Sequence, residues 1–128
     1  PQSVNVFGGY KIQGRGDEAA DKLLADAKAV VDAGAALLVL ECVPAALAKT
    51  VTDAVAVPVI GIGAGADTDG QVLVMHDMLG MVHGRVPRFV HDFLTDERNH
   101  ARSIEGAFAL YQQSVRDRSF PTEQHQFS

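Results

Sequence analysis

With one cysteine, Cys42, in 128 residues, the chain cannot form an internal disulfide. No charged-then-apolar segment opens it in the manner of a signal peptide, so a reducing cytoplasm is the expected location. Long apolar runs are missing too. The longest stretch without charged or polar side chains lies between Asp53 and Asp67, well short of the roughly 20 residues that a membrane-spanning helix needs. Cations are scarce: Lys plus Arg total 11 against 16 Asp plus Glu, the net charge is -5, and no basic stripe is present. Nucleic acid is therefore not expected as a partner. What remains, 47% hydrophobic and 21% charged, is the profile of one globular domain. The missing initiator Met and the abrupt start at Pro1 suggest a processed chain or a piece of something longer.

Gly8, Gly9, Gly14 and Gly16 punctuate residues 7–16, so the opening segment 1–16 reads as a mobile loop. From Asp17, Ala20, Leu23, Leu24, Ala27, Val30 and Val31 recur at helical spacing, and Gly34 marks the stop. Residues 37–40 form a short apolar run, expected to be a strand buried on both faces of a parallel sheet and ending on Glu41. Pro44 suits the first turn of a second helix whose Leu47, Ala48, Val51 and Val55 share one side. A second buried strand is expected over 57–62, with Pro58 near its start. After a loop over 63–70, residues 71–76 fit a strand or a helix. The valines and the later Gly80 and Gly84 favour the strand. Phe89, Val90, Phe93 and Leu94 predict a short helix beyond Pro87, and Ile104, Ala107, Phe108, Tyr111 and Val115 a longer one. The polar tail 121–128 is expected to be loose unless another surface captures it.

This alternation is the rhythm of βα units with right-handed connections. Three strands do not finish such a sheet. A closed (β/α)8 barrel needs eight strands in roughly 250 residues, so the chain has room for only the last part of one.

Glu41 carries the most weight, because parallel α/β folds gather catalytic groups where strands end, although helix capping and ion pairing use the same position. Cys42 has no His nearby in sequence to make a thiolate nucleophile, so a buried structural thiol is expected. Gly61, Gly63, Gly65 and Ala66 loosely match a dinucleotide fingerprint, with Asp77 further on. Asp67, Thr68, Asp69 and Gly70 intervene where a helix should begin, and close approach of backbone to a ligand or neighbouring strand accounts better for the small residues. His76, His83 and His91, with Asp77 and Asp92, suggest a zinc or iron cluster. Gly80, Gly84 and Pro87 break any helix that would align them, which favours scattered histidines that support other residues or lie on the surface. Asp96, Glu97, Arg98 and Arg102 read as a solvated helix start.

Taken together, Pro1-Gln2-Ser3-Val4-Asn5, Phe7-Gly8-Gly9-Tyr10-Lys11, Gln13-Gly14-Arg15, Leu38-Val39-Leu40-Glu41, Pro58-Val59-Ile60-Gly61-Ile62-Gly63-Ala64-Gly65 and Asp69-Gly70-Gln71-Val72-Leu73-Val74 closely resemble the C-terminal half of the ketopantoate hydroxymethyltransferase family. The likeness spans essentially the whole chain and extends to Pro121, Glu123, His125 and Phe127. It implies an α/β fold, the C-terminal part of a (β/α)8 TIM barrel of the phosphoenolpyruvate/pyruvate type. It further implies a homodecamer acting on the route to pantothenate and coenzyme A. The family transfers a hydroxymethyl group from methylenetetrahydrofolate to 3-methyl-2-oxobutanoate, giving ketopantoate, with Mg2+ holding the keto acid. The resemblance makes Glu41, at the end of the sixth strand, the general base. It makes Ile62, Val72 and Val74 an apolar wall for the branched end of the substrate, ordinary barrel packing being the alternative. The family's magnesium-binding Asp and Glu and its substrate-binding Ser and Lys lie upstream of the segment where Pro1 falls, so this chain contributes no metal ligand and alone is expected to be inactive. Two further accounts compete: a noncatalytic half-barrel that associates with another chain through its open sheet edges, and a nucleotide-binding module built on Gly61 to Gly65.

Overall fold

The computed structural model describes residues 5–6, 8, 11–82 and 84–128. The readings that involve Pro1 to Val4, Phe7, Gly9, Tyr10 and His83 lie outside the described residues.

Apolar residues at helical spacing produce α1, Asp17–Asp32, whose first turn carries Asp17 and Glu18 where the helix dipole favours anions. Strand β1, Leu38–Glu41, follows, and α2, Ala45–Ala54, starts directly after Pro44, whose missing N–H costs nothing at a helix start. The connection through α2 leads to β2, Val59–Ile62, which pairs in parallel with β1 in the register Leu38 with Val59 through Glu41 with Ile62. A third strand, β3, Gly70–Gln71, pairs in parallel with β2, so the sheet order follows the chain.

Leu38, Leu40 and Val59 on one face of the sheet form a core with Ala27 of α1 and Ala48 and Val51 of α2. Burying each of the larger side chains contributes about 1.5–3 kcal/mol. The other face differs from the expectation of a strand covered on both sides. Val39 is 57% exposed, because the described residues place no layer over it.

The strand expected over 71–76 is a correction. Only Gly70 and Gln71 pair, and the Val72 N–H makes one further bond to the Gly61 carbonyl. Leu73 then packs into a second core and α3, Met75–Met78, begins, so His76 is helical. The second core gathers Met78, Leu79, Phe93, Phe120 and Ala107, the last from α4, Ile104–Arg116.

The helix expected beyond Pro87 does not form. Asp92 Oδ1 accepts from the backbone N–H groups of Leu94 and Thr95, and Asn99 Nδ2 takes the carbonyls of Phe93 and Leu94. These side chains satisfy the backbone groups a helix would have used. Nor do residues 96–102 start a helix: Arg102 has a left-handed backbone (φ 46°), and α4 is capped instead by Ser103 Oγ, which accepts the Gly106 N–H at 2.9 Å.

The tail is captured, not loose. Phe120 and Pro121 are buried, Glu123–His125 form a 3-10 turn, and the Phe127 carbonyl accepts the Ala45 N–H at 2.9 Å.

Candidate active site

The end of β1 is held from two sides. The Cys42 N–H donates to the Ile62 carbonyl at 2.9 Å, and the Cys42 carbonyl accepts the Gln13 N–H at 2.9 Å. Cys42 itself turns the chain with φ 54°, directing it from the strand into α2. Glu41 therefore sits as the last residue of a fixed strand, exposed at the mouth of a cleft of ≈ 640 Å³. Lys11, Arg85 and Arg88 give that cleft cations, while Ile12, Val86, Pro87, Phe89 and Phe127 give it apolar walls.

The captured tail builds part of this cleft. Arg88 Nε donates to the Gln124 carbonyl at 2.9 Å, and the Phe89 and Phe127 rings meet edge to face with centroids 6.4 Å apart. Gly63 and Gly65 permit this. Both have positive φ (63° and 80°), and a Cβ on Gly63 would meet the Phe89 ring at 2.7 Å while one on Gly65 would meet the Ala45 methyl at 2.6 Å. The glycine run thus serves close approach of protein to protein. No helix opens at these glycines, so the structural context that a dinucleotide fingerprint requires is not met.

Half-buried Cys42 shares the cleft. Burial, and then the adjacent Glu41 charge, push its thiol above the ordinary cysteine value. At neutral pH it stays protonated, a poor nucleophile.

Glu41 and Ile62 are register partners on neighbouring strands, Ile62 being only 8% exposed. Val72 and Val74 lie beyond β3 and are exposed. None of these three apolar residues lines the cleft that Glu41 lines. Lys11, Arg85, Arg88, Phe89 and Phe127 were not assigned a role from the sequence. The available signal was the pair of arginines flanking Val86-Pro87 in an otherwise acidic chain.

His76 and Asp77 lie on α3, whereas His91 and Asp92 lie in the turns that follow. Among the described residues no three His, Cys, Asp or Glu side chains converge as metal ligands. His91 Nε2 instead meets Asp96 Oδ2 at 2.6 Å, and Asp96 also takes two bonds from the Arg98 guanidinium. The Asp96 side chain is only 9% exposed, which corrects its reading as part of a solvated helix start. The Arg98 guanidinium is the main cause, opposed by burial and aided by the Arg98 N–H and His91, that holds the Asp96 carboxyl well below the usual carboxylate range. A carboxyl depressed in the folded state stabilises above its unfolded value, about pH 4, and that stability is lost as pH falls from there toward the folded value. Acid unfolding followed by circular dichroism should show the parent losing stability through this window, with Asp96→Asn less stable near neutrality and flatter below about pH 4.

The family model described as ketopantoate hydroxymethyltransferase matches residues 1–123. The chain belongs to the ketopantoate hydroxymethyltransferase family. Curated relatives named 3-methyl-2-oxobutanoate hydroxymethyltransferase are similar throughout. The one from Psychrobacter cryohalolentis is 88% identical across 100% of this chain and 48% of its own length. That from Psychrobacter sp. (strain PRwf-1) is 70% identical, over 100% of this chain and 49% of the relative. One from Escherichia coli O157:H7 is 56% identical, covering 99% of this chain and 47% of the relative. The chain spans about half the length of the curated relatives it matches. In this member of the ketopantoate hydroxymethyltransferase family, Glu41 and the basic cleft are therefore features of a partial segment.

Proposed function

We propose that this chain is the C-terminal portion of a 3-methyl-2-oxobutanoate hydroxymethyltransferase and supplies the sixth to eighth strands of a (β/α)8 barrel. The carrying observation is Glu41, the terminal residue of a parallel strand and a wall of the cleft. In open and closed parallel α/β folds the carboxyl ends of strands are where reacting groups collect. The relatives' shared name supports the choice of reaction.

In this reading Glu41 removes the proton from C3 of 3-methyl-2-oxobutanoate, the C–H electron pair moving into the C2–C3 bond and charge onto the carbonyl oxygen. C3 then bonds to the one-carbon unit of methylenetetrahydrofolate, whose two C–N bonds break, the folate nitrogens taking protons and water supplying the hydroxyl group. With the addition of water, the products are ketopantoate and tetrahydrofolate. Ile62, Val72 and Val74 receive the branched methyl end once the rest of the barrel closes around them. Magnesium belongs to the reading of the whole enzyme, but the described residues do not fit it: no ligand set converges, and the groups that line the cleft with Glu41 include three cations. The whole enzyme is read as a cytoplasmic homodecamer on the route to pantothenate; among the described residues no helix is long and apolar enough to cross a membrane.

The exposed Val39 on an unlayered sheet face, and the exposed Val72 and Val74 just beyond β3, favour an incomplete unit that works only in association. Assayed with keto acid, Mg2+ and methylenetetrahydrofolate, the complete enzyme should form ketopantoate and the 128-residue chain alone should form none. Turnover by the isolated chain at the complete enzyme's rate, or none by the complete enzyme, overturns the proposal.

A further inference from the structure

We propose that His125 is a proton-sensitive clasp: with Nδ1 unprotonated it holds residues 120–128 as a strap against α2 and the cleft, and a proton on Nδ1 frees the strap and withdraws the Phe127 wall. This goes beyond the proposed reaction, because it concerns how the tail is fastened, whatever the cleft receives.

The strap reaches three separate stretches of the chain through its own backbone. The Phe127 carbonyl accepts the Ala45 N–H at the start of α2 at 2.9 Å, the Gln124 carbonyl accepts Arg88 Nε at 2.9 Å, and the Ser128 carbonyl accepts an Arg15 guanidinium N–H at 3.3 Å. The aim of these carbonyls depends on the 3-10 turn Glu123–His125, which contains the first and leads directly to the other two.

One imidazole closes that turn. His125 Nδ1 accepts the Thr122 N–H at 3.1 Å and lies 2.8 Å from the Thr122 hydroxyl, while the His125 N–H donates to the Thr122 carbonyl at 2.9 Å. An imidazole nitrogen accepts a hydrogen bond only while it carries no proton. Protonated, Nδ1 sets an N–H against the Thr122 N–H, and the turn loses the bond that closes it.

The surroundings of the ring oppose that proton while the strap is down. His125 is half-buried, with its ring centroid 4.9 Å from that of Phe120 and 5.9 Å from that of His91. His91, Arg98 and Glu123 are the titratable or charged groups that share its cavity, and Asp96 stands behind them, bound to both His91 and Arg98. Among the described residues no carboxylate pairs with His125. Burial, and then the His91 charge, lower the His125 value below that of an ordinary histidine. Release restores the ordinary value, about 6.5. The docked strap is therefore favoured in full above about pH 6.5 and loses that advantage as pH falls from there toward the lowered value.

The test is hydrogen exchange of the complete enzyme, followed by mass spectrometry on overlapping peptides from about pH 7.5 to 5.0 and corrected for the intrinsic pH dependence of exchange. The Ala45 amide and the amides of 122–128 should lose protection about tenfold or more as pH falls, the worth of a lost hydrogen bond. Amides of α4 should stay protected throughout, which separates release of the strap from unfolding. His125→Asn keeps an acceptor near the Nδ1 position and does not titrate in this range, so its protection at Ala45 should vary within about twofold. His125→Ala has no acceptor there and should leave Ala45 poorly protected at every pH. Parent protection that does not change across the range, an Asn variant as pH-sensitive as the parent, or an Ala variant as protected as the parent near neutrality would overturn the inference. Exchange is read without substrate, so these outcomes stand apart from success or failure of the proposed reaction.

Discussion

Glu41→Gln in the complete enzyme is expected to slow exchange of the C3 proton of 3-methyl-2-oxobutanoate with deuterated water by about 10²- to 10⁴-fold, the usual worth of a general base. The substitution keeps the size of the side chain and most of its hydrogen-bonding capacity but removes the basic oxygen. Glu41 is exposed at the cleft mouth and ends a strand held by backbone bonds through Cys42, so the fold does not depend on its charge. Binding of the keto acid should therefore change little while proton removal fails. Exchange without the folate donor isolates this step from carbon transfer, and nuclear magnetic resonance reads it directly as loss of the C3 proton signal. A Gln variant that exchanges as fast as the parent would assign the base elsewhere, to a water or to a carboxylate outside this chain.

Asn99→Ala is expected to cost about 2 kcal/mol of stability, measured as a shift in denaturant midpoint at unchanged slope. Asn99 is 4% exposed, and its Nδ2 donates to the carbonyls of Phe93, Leu94 and Ser103 at 3.2, 3.1 and 3.0 Å. One amide thus fastens the 93–94 turn, which carries the fully buried Phe93, to the residue that caps α4. Alanine removes both N–H donors of the amide, one of them shared between two carbonyls, each worth about 1 kcal/mol in net terms, and leaves carbonyls at least partly buried without their donor. Asn99→Asp separates the hydrogen bonds from the volume. It has nearly the same shape, yet its carboxylate offers no donor and faces carbonyl oxygens. It should destabilise at least as much as alanine at neutral pH and partly recover when protonated in acid. If Asp and Ala variants both matched the parent, the network would carry no stability.

Features set by near neighbours along the chain are legible in the sequence. The helical spacing from Ala20 to Val31 and from Ile104 to Val115 gave α1 and α4, since a helix bonds each residue to one four places away. The apolar run ending in Glu41 announced a parallel strand with a carboxylate at its end, and parallel pairing with β2 followed. Failures came where a segment's backbone was claimed by residues remote in sequence or by side chains that periodicity ignores. Residues 71–76 left the sheet after Gln71 because Leu73 packs, partly buried, against the second core, and 89–94 stayed non-helical because Asp92 and Asn99 took its backbone groups. Asp96 looked solvated until folding set His91 and Arg98 around it. The cleft was the least legible part. Lys11, Glu41, Arg85 and Phe127 come from four separate stretches, brought together by parallel pairing, by the Gln13 bond to Cys42 and by the tail docking against Phe89 and Ala45. Local spacing encodes hydrogen bonds within a helix turn or along a strand, but convergence of distant charges depends on which surfaces pack, and packing is a property of the folded chain as a whole.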